Sequence, residues 1–238
     1  MALITGGAFE MGSPTGEADQ RPVRLVKVGN FYMDVYEVTQ ESFLTLMGQN
    51  PSKFANPKGP VERVRWTDAV RYCNARSKKE GFTPCYNEQT WNCDFSANGY
   101  RLPAEAEWEY ASRAGSKDNC FFGGGKADLE KYAWHRGNSA KKPHEVGAKL
   151  PNAFHLHDIY GNVSEWCHDY YAENYYAVGA NENPRGPDSG SKRVLRGGSW
   201  DDRDSKCNSV IRQKDSPTTA DICQGYDTYG FRCVRNAQ

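Results

Sequence analysis

Between Asp201 and Asp227 the chain carries Asp201, Asp202, Asp204, Asn208, Gln213, Lys214, Asp215, Thr218, Thr219, Asp221, Gln224, Tyr226 and Asp227, and no helical or strand period orders them. Such side chains donate, accept and stack, which suits recognition rather than bond making, because binding loops mix adaptable hydrogen bonds with aromatic anchors. With their neighbours, the expected contact set is Asp201, Asp202, Asp204, Lys206, Asn208, Gln213, Lys214, Asp215, Tyr226, Asp227 and Tyr229, converging on one exposed patch. Cys207 falls inside the same stretch. A lone thiol without a base placed by geometry is more often packing than nucleophile. A second candidate is the turn Asp158-Ile-Tyr-Gly-Asn-Val-Ser-Glu165, where carboxylates at Asp158 and Glu165 and the carbonyls of Gly161 and Val163 make an oxygen set suited to structural calcium. The plainer reading is a turn at Gly161-Asn162 with Glu165 capping amides. His155 and His157 could share a strand face, but a solvated or core-edge role outweighs a metal site for such a pair.

These groups need a frame. Arg193-Val-Leu-Arg-Gly-Gly-Ser-Trp200 and Tyr229-Gly-Phe-Arg-Cys233 read as strands that fix both ends of the polar stretch, with Trp200, Arg212, Pro217 and Phe231 as supports. Upstream, residues 6–13 and 24–34 alternate at period two and form an antiparallel pair. Thr39 caps a helix from Gln40 to Met47 that stops at Gly48, and Thr67 caps a second helix that stops near Gly81. Pro103 stands in the first turn of a third helix, with Glu105, Glu107 and Glu109 at its positive end and Arg113 at the other. Residues 116–157 read as loop.

The 238 residues fit one domain, with a variable region at about 193–233, and 30 basic side chains balance 30 acidic ones, which argues against nucleic acid as partner. No apolar run approaches a membrane span. Eight cysteines without a CxxC pair leave disulfides and small buried thiols equally open, with Cys85 and Cys93 placed to close a hairpin. Met1-Ala-Leu precedes a strand directly, so an exported form is expected to have shed its signal.

Gly7-Ala-Phe-Glu-Met-Gly-Ser, Asp34-Val-Tyr-Glu-Val-Thr, Val64-Arg-Trp-Thr-Asp-Ala, Gly99-Tyr-Arg-Leu-Pro-Ala-Glu-Ala-Glu-Trp-Glu-Tyr, Gly161-Asn-Val-Ser-Glu-Trp, Arg196-Gly-Gly-Ser-Trp and Gly230-Phe-Arg occur in this order. Together they resemble the formylglycine-generating-enzyme (sulfatase-modifying factor) family over nearly the whole chain. The resemblance implies an α+β domain of C-type lectin fold with little regular secondary structure, and calcium at the Asp158 turn. Oxidases of the family hold Cu(I) with two cysteines just after Gly-Gly-Ser. Here only Cys207 is present and Asp202 stands at the other position, so no copper is expected. Iron-dependent relatives draw histidines from a separate helical domain that this chain lacks.

Arg196-Gly-Gly-Ser-Trp200, Cys207, Arg212, Pro217 and Gly230-Phe-Arg232 are similar, in order, to the C-terminal region of variable proteins of diversity-generating retroelements. In those systems adenine replacement turns asparagine codons into Asp, Ser, Tyr, Thr and the like, the residue types that dominate here; the span from Pro217 to Gly230 is longer than their pattern. That resemblance implies a non-catalytic, receptor-type protein that binds a protein or other surface ligand. It also implies a lipid anchor and a place at the cell surface or outside the cell, the alternative being the cytoplasm. The rival reading is an enzyme of the same fold using Cys207, with Ser199, Trp200 and His168 nearby.

Overall fold

The computed structural model describes residues 1–123, 126–218 and 226–237. Thr219, Asp221, Cys223 and Gln224 of the polar stretch lie outside them.

The chain opens with β1 (Ala2–Ile4) and β2 (Gly7–Met11), followed by β3 (Arg24–Val28) and β4 (Phe31–Met33). β2 and β3 pair antiparallel from Gly7↔Val28 to Met11↔Arg24, as the alternation predicts. The segment read as one strand over 24–34 is in fact two. It breaks at Gly29-Asn30, where Asn30 Oδ1 takes the Gly6 amide at 2.8 Å, and β4 leaves for another sheet.

α1 (Gln40–Met47) has the expected ends: Thr39 Oγ1 accepts the Ser42 amide, and Gly48 turns left-handed at φ 74°. α2 (Trp66–Lys79) starts one residue before Thr67. Its N-cap is Arg65, whose amide donates to Asp68 Oδ2 at 3.1 Å, while the Thr67 amide reaches the Pro217 carbonyl at 3.4 Å. After β5 (Tyr100–Arg101) comes α3 (Glu105–Arg113), capped at Ala104 through Glu107. Pro103 lies before that cap rather than in the first turn, and its carbonyl accepts the His168 amide at 2.8 Å. The stretch expected to be all loop contains α4 (Lys126–Tyr132).

β6 (Ser164–Tyr170), the single turn α5 (Tyr175–Val178), β7 (Arg193–Arg196), β8 (Arg212–Asp215), β9 (Tyr229–Gly230) and β10 (Val234–Asn236) complete the chain. Two four-stranded sheets result, ordered β1-β4-β10-β5 and β8-β7-β6-β9. Few residues are regular, and the class is α+β.

The second sheet separates two apolar clusters, because neighbouring strand side chains point to opposite faces. Val194 and Cys167 pack with Trp108, Leu156 and Val26 on one face. Leu195 and Trp166 pack with Trp66, Tyr72, Leu102 and Phe231 on the other.

Buried ion pairs tie helix to sheet. α3 presents Glu105 and Glu109 one turn apart. Arg212 grips Glu105 with two hydrogen bonds of 2.7 and 2.9 Å. Arg196 reaches Glu105 at 3.3 Å and Glu109 at 2.5 Å, and Arg113 holds the other Glu109 oxygen at 2.8 Å. Burial pushes the Glu105 carboxyl up, but Arg212 and Arg196 together hold it below its ordinary value.

Candidate functional site

β7 runs into Gly197 and Gly198, which take φ of 92° and 74°. A Cβ on Gly197 would lie 2.9 Å from the Ile159 carbonyl oxygen and 3.1 Å from the Trp108 ring, and one on Gly198 2.9 Å from the Lys206 carbonyl oxygen. Only glycine permits both the turn and this approach. The turn sets Ser199 and Trp200 in fixed positions. The Trp200 amide donates to the Asn162 carbonyl at 2.8 Å and its indole N–H to the Asp227 carbonyl at 3.1 Å. The edge of Phe54 packs against the same ring, which is 6 % exposed. Trp200 is therefore a post joining both ends of the polar segment.

Around that post the polar side chains hold one another. Ser199 Oγ donates to Asp202 Oδ2 at 2.7 Å, Gln213 Nε2 reaches both Asp202 oxygens at 3.3 and 3.4 Å, and Ser164 Oγ donates to Gln213 Oε1 at 2.8 Å. Tyr229 pairs with Ser164 across the parallel ladder, and its hydroxyl bonds the Asp215 carboxylate. Lys53 meets Asp227 at 2.7 Å, and Arg136 meets Asp201 at 3.3 Å in a half-exposed pair.

Only Asp201, Lys206 and Lys214 of the expected contact set are exposed. Asp202, Asp204, Asn208, Gln213, Asp215, Asp227 and Tyr229 are half-buried. Tyr226, expected at the surface, is buried at 8 % exposure, because its ring packs against Tyr229 and lines a pocket. Nor does the set form one patch. The middle of the segment, expected to be irregular, is the edge strand β8, whose alternation separates its side chains. Gln213 turns to the Trp200 side, whereas Lys214 lies over the Tyr171 ring at 3.9 Å on the face of Arg212. Asn208 is spent on its own turn, accepting the Val210 and Ile211 amides at 2.9 and 3.0 Å. Trp200, Arg212 and Phe231 are buried supports as expected, and half-buried Pro217 is a hydrogen-bonded one, its carbonyl accepting the Thr67 amide at 3.4 Å. Lys53, Phe54 and Arg136 join the surface unannounced, and buried Ser164 supports it from beneath. They come from distant stretches, and no local pattern marks them.

Cys207 lies under Gly198, fully buried, and burial followed by Asp202 and Asp204 pushes its thiol well above the ordinary range. His168 sits elsewhere, among Trp66, Tyr86 and Phe95, with its Nδ1 3.3 Å from the Tyr86 hydroxyl. It faces Arg193, Arg101 and Arg185 rather than the thiol. Cys85 and Cys93 are free thiols on the two arms of a hairpin, joined by the Asp94 amide on the Cys85 carbonyl.

His155 and His157 share no strand. His155 is exposed, and His157 packs against Tyr36 at a tilt while its Nδ1 contacts the Lys149 carbonyl at 2.8 Å. At the neighbouring turn, the Gly161 amide binds the Gly197 carbonyl and the Val163 amide binds Glu37. Asp158 Oδ2 accepts the Gly147 amide at 2.6 Å, and its buried Oδ1 has no hydrogen-bond partner. Glu165 is saturated: Arg232 donates Nε to both oxygens at 2.9 and 2.8 Å and Nη2 at 2.6 Å, and the Trp108 indole adds a bond at 2.8 Å. A carboxylate has about four acceptor positions. The expected calcium set thus offers one free carboxylate oxygen, and it does not fit an ion while Arg232 holds Glu165. Among the described residues no three His, Cys, Asp or Glu gather as a metal group.

The profile of the family described as "Sulfatase-modifying factor enzyme 1-like domain" matches residues 1–237. The Treponema denticola variable protein 1 structure superposes with a TM-score of 0.91 at 33 % identity, covering 100 % of this chain and 95 % of that one. A protein named "Chaperone protein LppX" from Paenibacillus barcinonensis is 34 % identical over 84 % of this chain and 78 % of its own length. The formylglycine-generating enzyme of Streptomyces coelicolor is 33 % identical over 76 % of this chain and 54 % of its own length. Three further relatives are longer still, the chain spanning 38 % of each.

Proposed function

The chain belongs to the sulfatase-modifying factor family, and within it we propose a non-catalytic, receptor-type variable protein of a diversity-generating retroelement. Its binding face is built on Trp200 and the segment around it. The observation that carries this reading is the separation of frame from surface. Arg196, Arg212 and Trp200 are buried in ion pairs or packing, while Asp201, Lys206 and Lys214 project from the same segment into solvent. Exposed residues on a rigid scaffold can change without cost to the fold. The similarity to a protein named as variable supports the same reading. Randomising Asp201, Lys206, Asp202, Gln213 and Tyr229 together tests it. Most library members should fold, and selection against immobilised proteins should yield binders; a library that mostly unfolds would sink the proposal.

The rival, an oxidase or thiol enzyme, needs a reactive sulfur. Cys207 is buried with its thiol driven up, and a carboxylate, Asp202, stands where the copper oxidases place a second cysteine. We expect no formylglycine from a cysteine-containing sulfatase peptide supplied with copper and oxygen; product well above a Cys207→Ser control would reverse this. The partner class is a protein or other surface ligand. Display at the cell surface through a lipid anchor belongs to the same proposal, and among the described residues no helix is long and apolar enough to cross a membrane.

A further inference from the structure

Beside the Trp200 surface a pocket of about 340 Å³ opens between the end of α1 and the start of α2. Phe43, Met47 and Tyr226 give it apolar walls, and Arg63, Arg65 and Asp68 line its other side. The two arginines differ. Arg65 is neutralised by Asp68, with Nε on Oδ2 at 2.8 Å and Nη2 on Oδ1 at 3.3 Å. Arg63 has no ion pair among the described residues, and its buried Nε has no hydrogen-bond partner. Its backbone is left-handed at φ 61°, a conformation that side-chain-bearing residues hold only where their surroundings impose it. Glu62, its chain neighbour, does not serve as counter-ion. No ion pair joins the two: that carboxyl accepts the Phe54 amide at 2.9 Å, and burial raises it to about 7 although the charge of Arg63 pulls it down. One unpaired cation thus faces an apolar recess whose wall, Tyr226, belongs to the variable segment.

We propose that this pocket anchors the partner by a carboxylate carried next to a large apolar side chain, the carboxylate on Arg63 and the apolar group between Phe43, Met47 and Tyr226. The partner is accordingly an acidic peptide segment of a protein. This deepens the receptor reading and rests on it. A guanidinium pairs a carboxylate with two parallel hydrogen bonds, and an apolar surround strengthens them. The pocket itself comes largely from residues outside the varied segment, so it supplies a constant anchor next to a changing surface.

The test uses the whole chain with methyl-labelled methionine and two probes, N-acetyl-phenylalanine and its uncharged amide. The acid should shift the Met47 methyl signal saturably and bind at least fivefold more tightly than the amide. Arg63→Gln should bring the two probes to equal affinity, and Arg63→Lys should keep the acid preferred. Thermal melts show whether each variant is folded. Should Arg63→Gln fail to fold, the acid-over-amide preference of the parent and of Arg63→Lys still decides. No saturable shift, equal affinities in the parent chain, or a preference unchanged in Arg63→Gln would overturn the inference. Binders selected from the surface library separate the two claims. Binders that respond to Asp201 or Lys206 substitution and ignore Arg63 leave the receptor reading standing and the anchor refuted.

Discussion

Arg196 sits with its guanidinium between Glu105 and Glu109, all three buried, and truncating it leaves two carboxylates short of a cation. Breaking such a pair from one side costs about 3–5 kcal/mol, so Arg196→Met should lower the denaturant midpoint far more than any exposed substitution. Asp169 behaves oppositely. Burial, followed by Glu105, raises its carboxyl from 3.8 to about 8, so the native chain keeps a proton there that the unfolded chain releases. Its destabilisation is absent below about pH 4 and grows as pH rises toward 8. Each unit is worth about 1.4 kcal/mol. Asp169→Asn, which can still accept the Glu105 amide, should flatten the fall in melting temperature between pH 5 and pH 8. Arg196 was legible because it stands in Arg-Gly-Gly-Ser-Trp, but Asp169 was not, since nothing in sequence reveals which carboxylate the fold will bury. At the Asp158 turn the sequence suggested a cation. The chain provides its own in Arg232, and a chelator should leave the melting temperature unchanged; a drop of several degrees would mean that Glu165 gives up Arg232 for calcium.

Among the elements, α1 announced itself through both ends and the β2–β3 pair through apolar alternation, whereas α4 carried no such signal and the caps of α2 and α3 fall elsewhere than expected. α1 follows Thr39 and stops at Gly48 because those residues satisfy backbone groups locally, wherever the helix packs. β8 escaped notice for a physical reason. Its sequence is Arg-Gln-Lys-Asp, and its inward residue, Arg212, is buried by pairing with Glu105 instead of by being apolar, so no hydrophobic period exists to find. The missed strand then misplaced Lys214, which alternation turns away from the Trp200 side. Asp201→Ala, Lys206→Ala and Lys214→Ala should each change stability by about 0.5 kcal/mol or less. Trp200→Ala removes the post between the segment's two ends and should cost about 3–5 kcal/mol. Thermal unfolding of the four variants distinguishes these values, and equal losses would mean that the segment is core.

Across the whole molecule, the family motifs proved to be parts of one buried structure. Glu105 and Glu109 from α3, Arg196 at the end of β7, Glu165 in β6 and Arg232 before β10 all pair inside it, which is why the fold could be read from spaced fragments. The contact surface could not, because which side chains share a face depends on sheet pairings that join distant segments. The sheet order β1-β4-β10-β5 carries a further consequence. The last strand, β10, pairs Val234 with Met33 on one side and Arg101 on the other, so the chain must pass through residues 201–229 before it can complete this sheet. Ending the chain at Gly230 removes Arg232 and β10 and should abolish cooperative unfolding. A stop codon or lost reading frame between 201 and 229 should have the same result. On the receptor reading proposed above, folding itself would then select for an intact frame, ahead of any selection for what the segment binds.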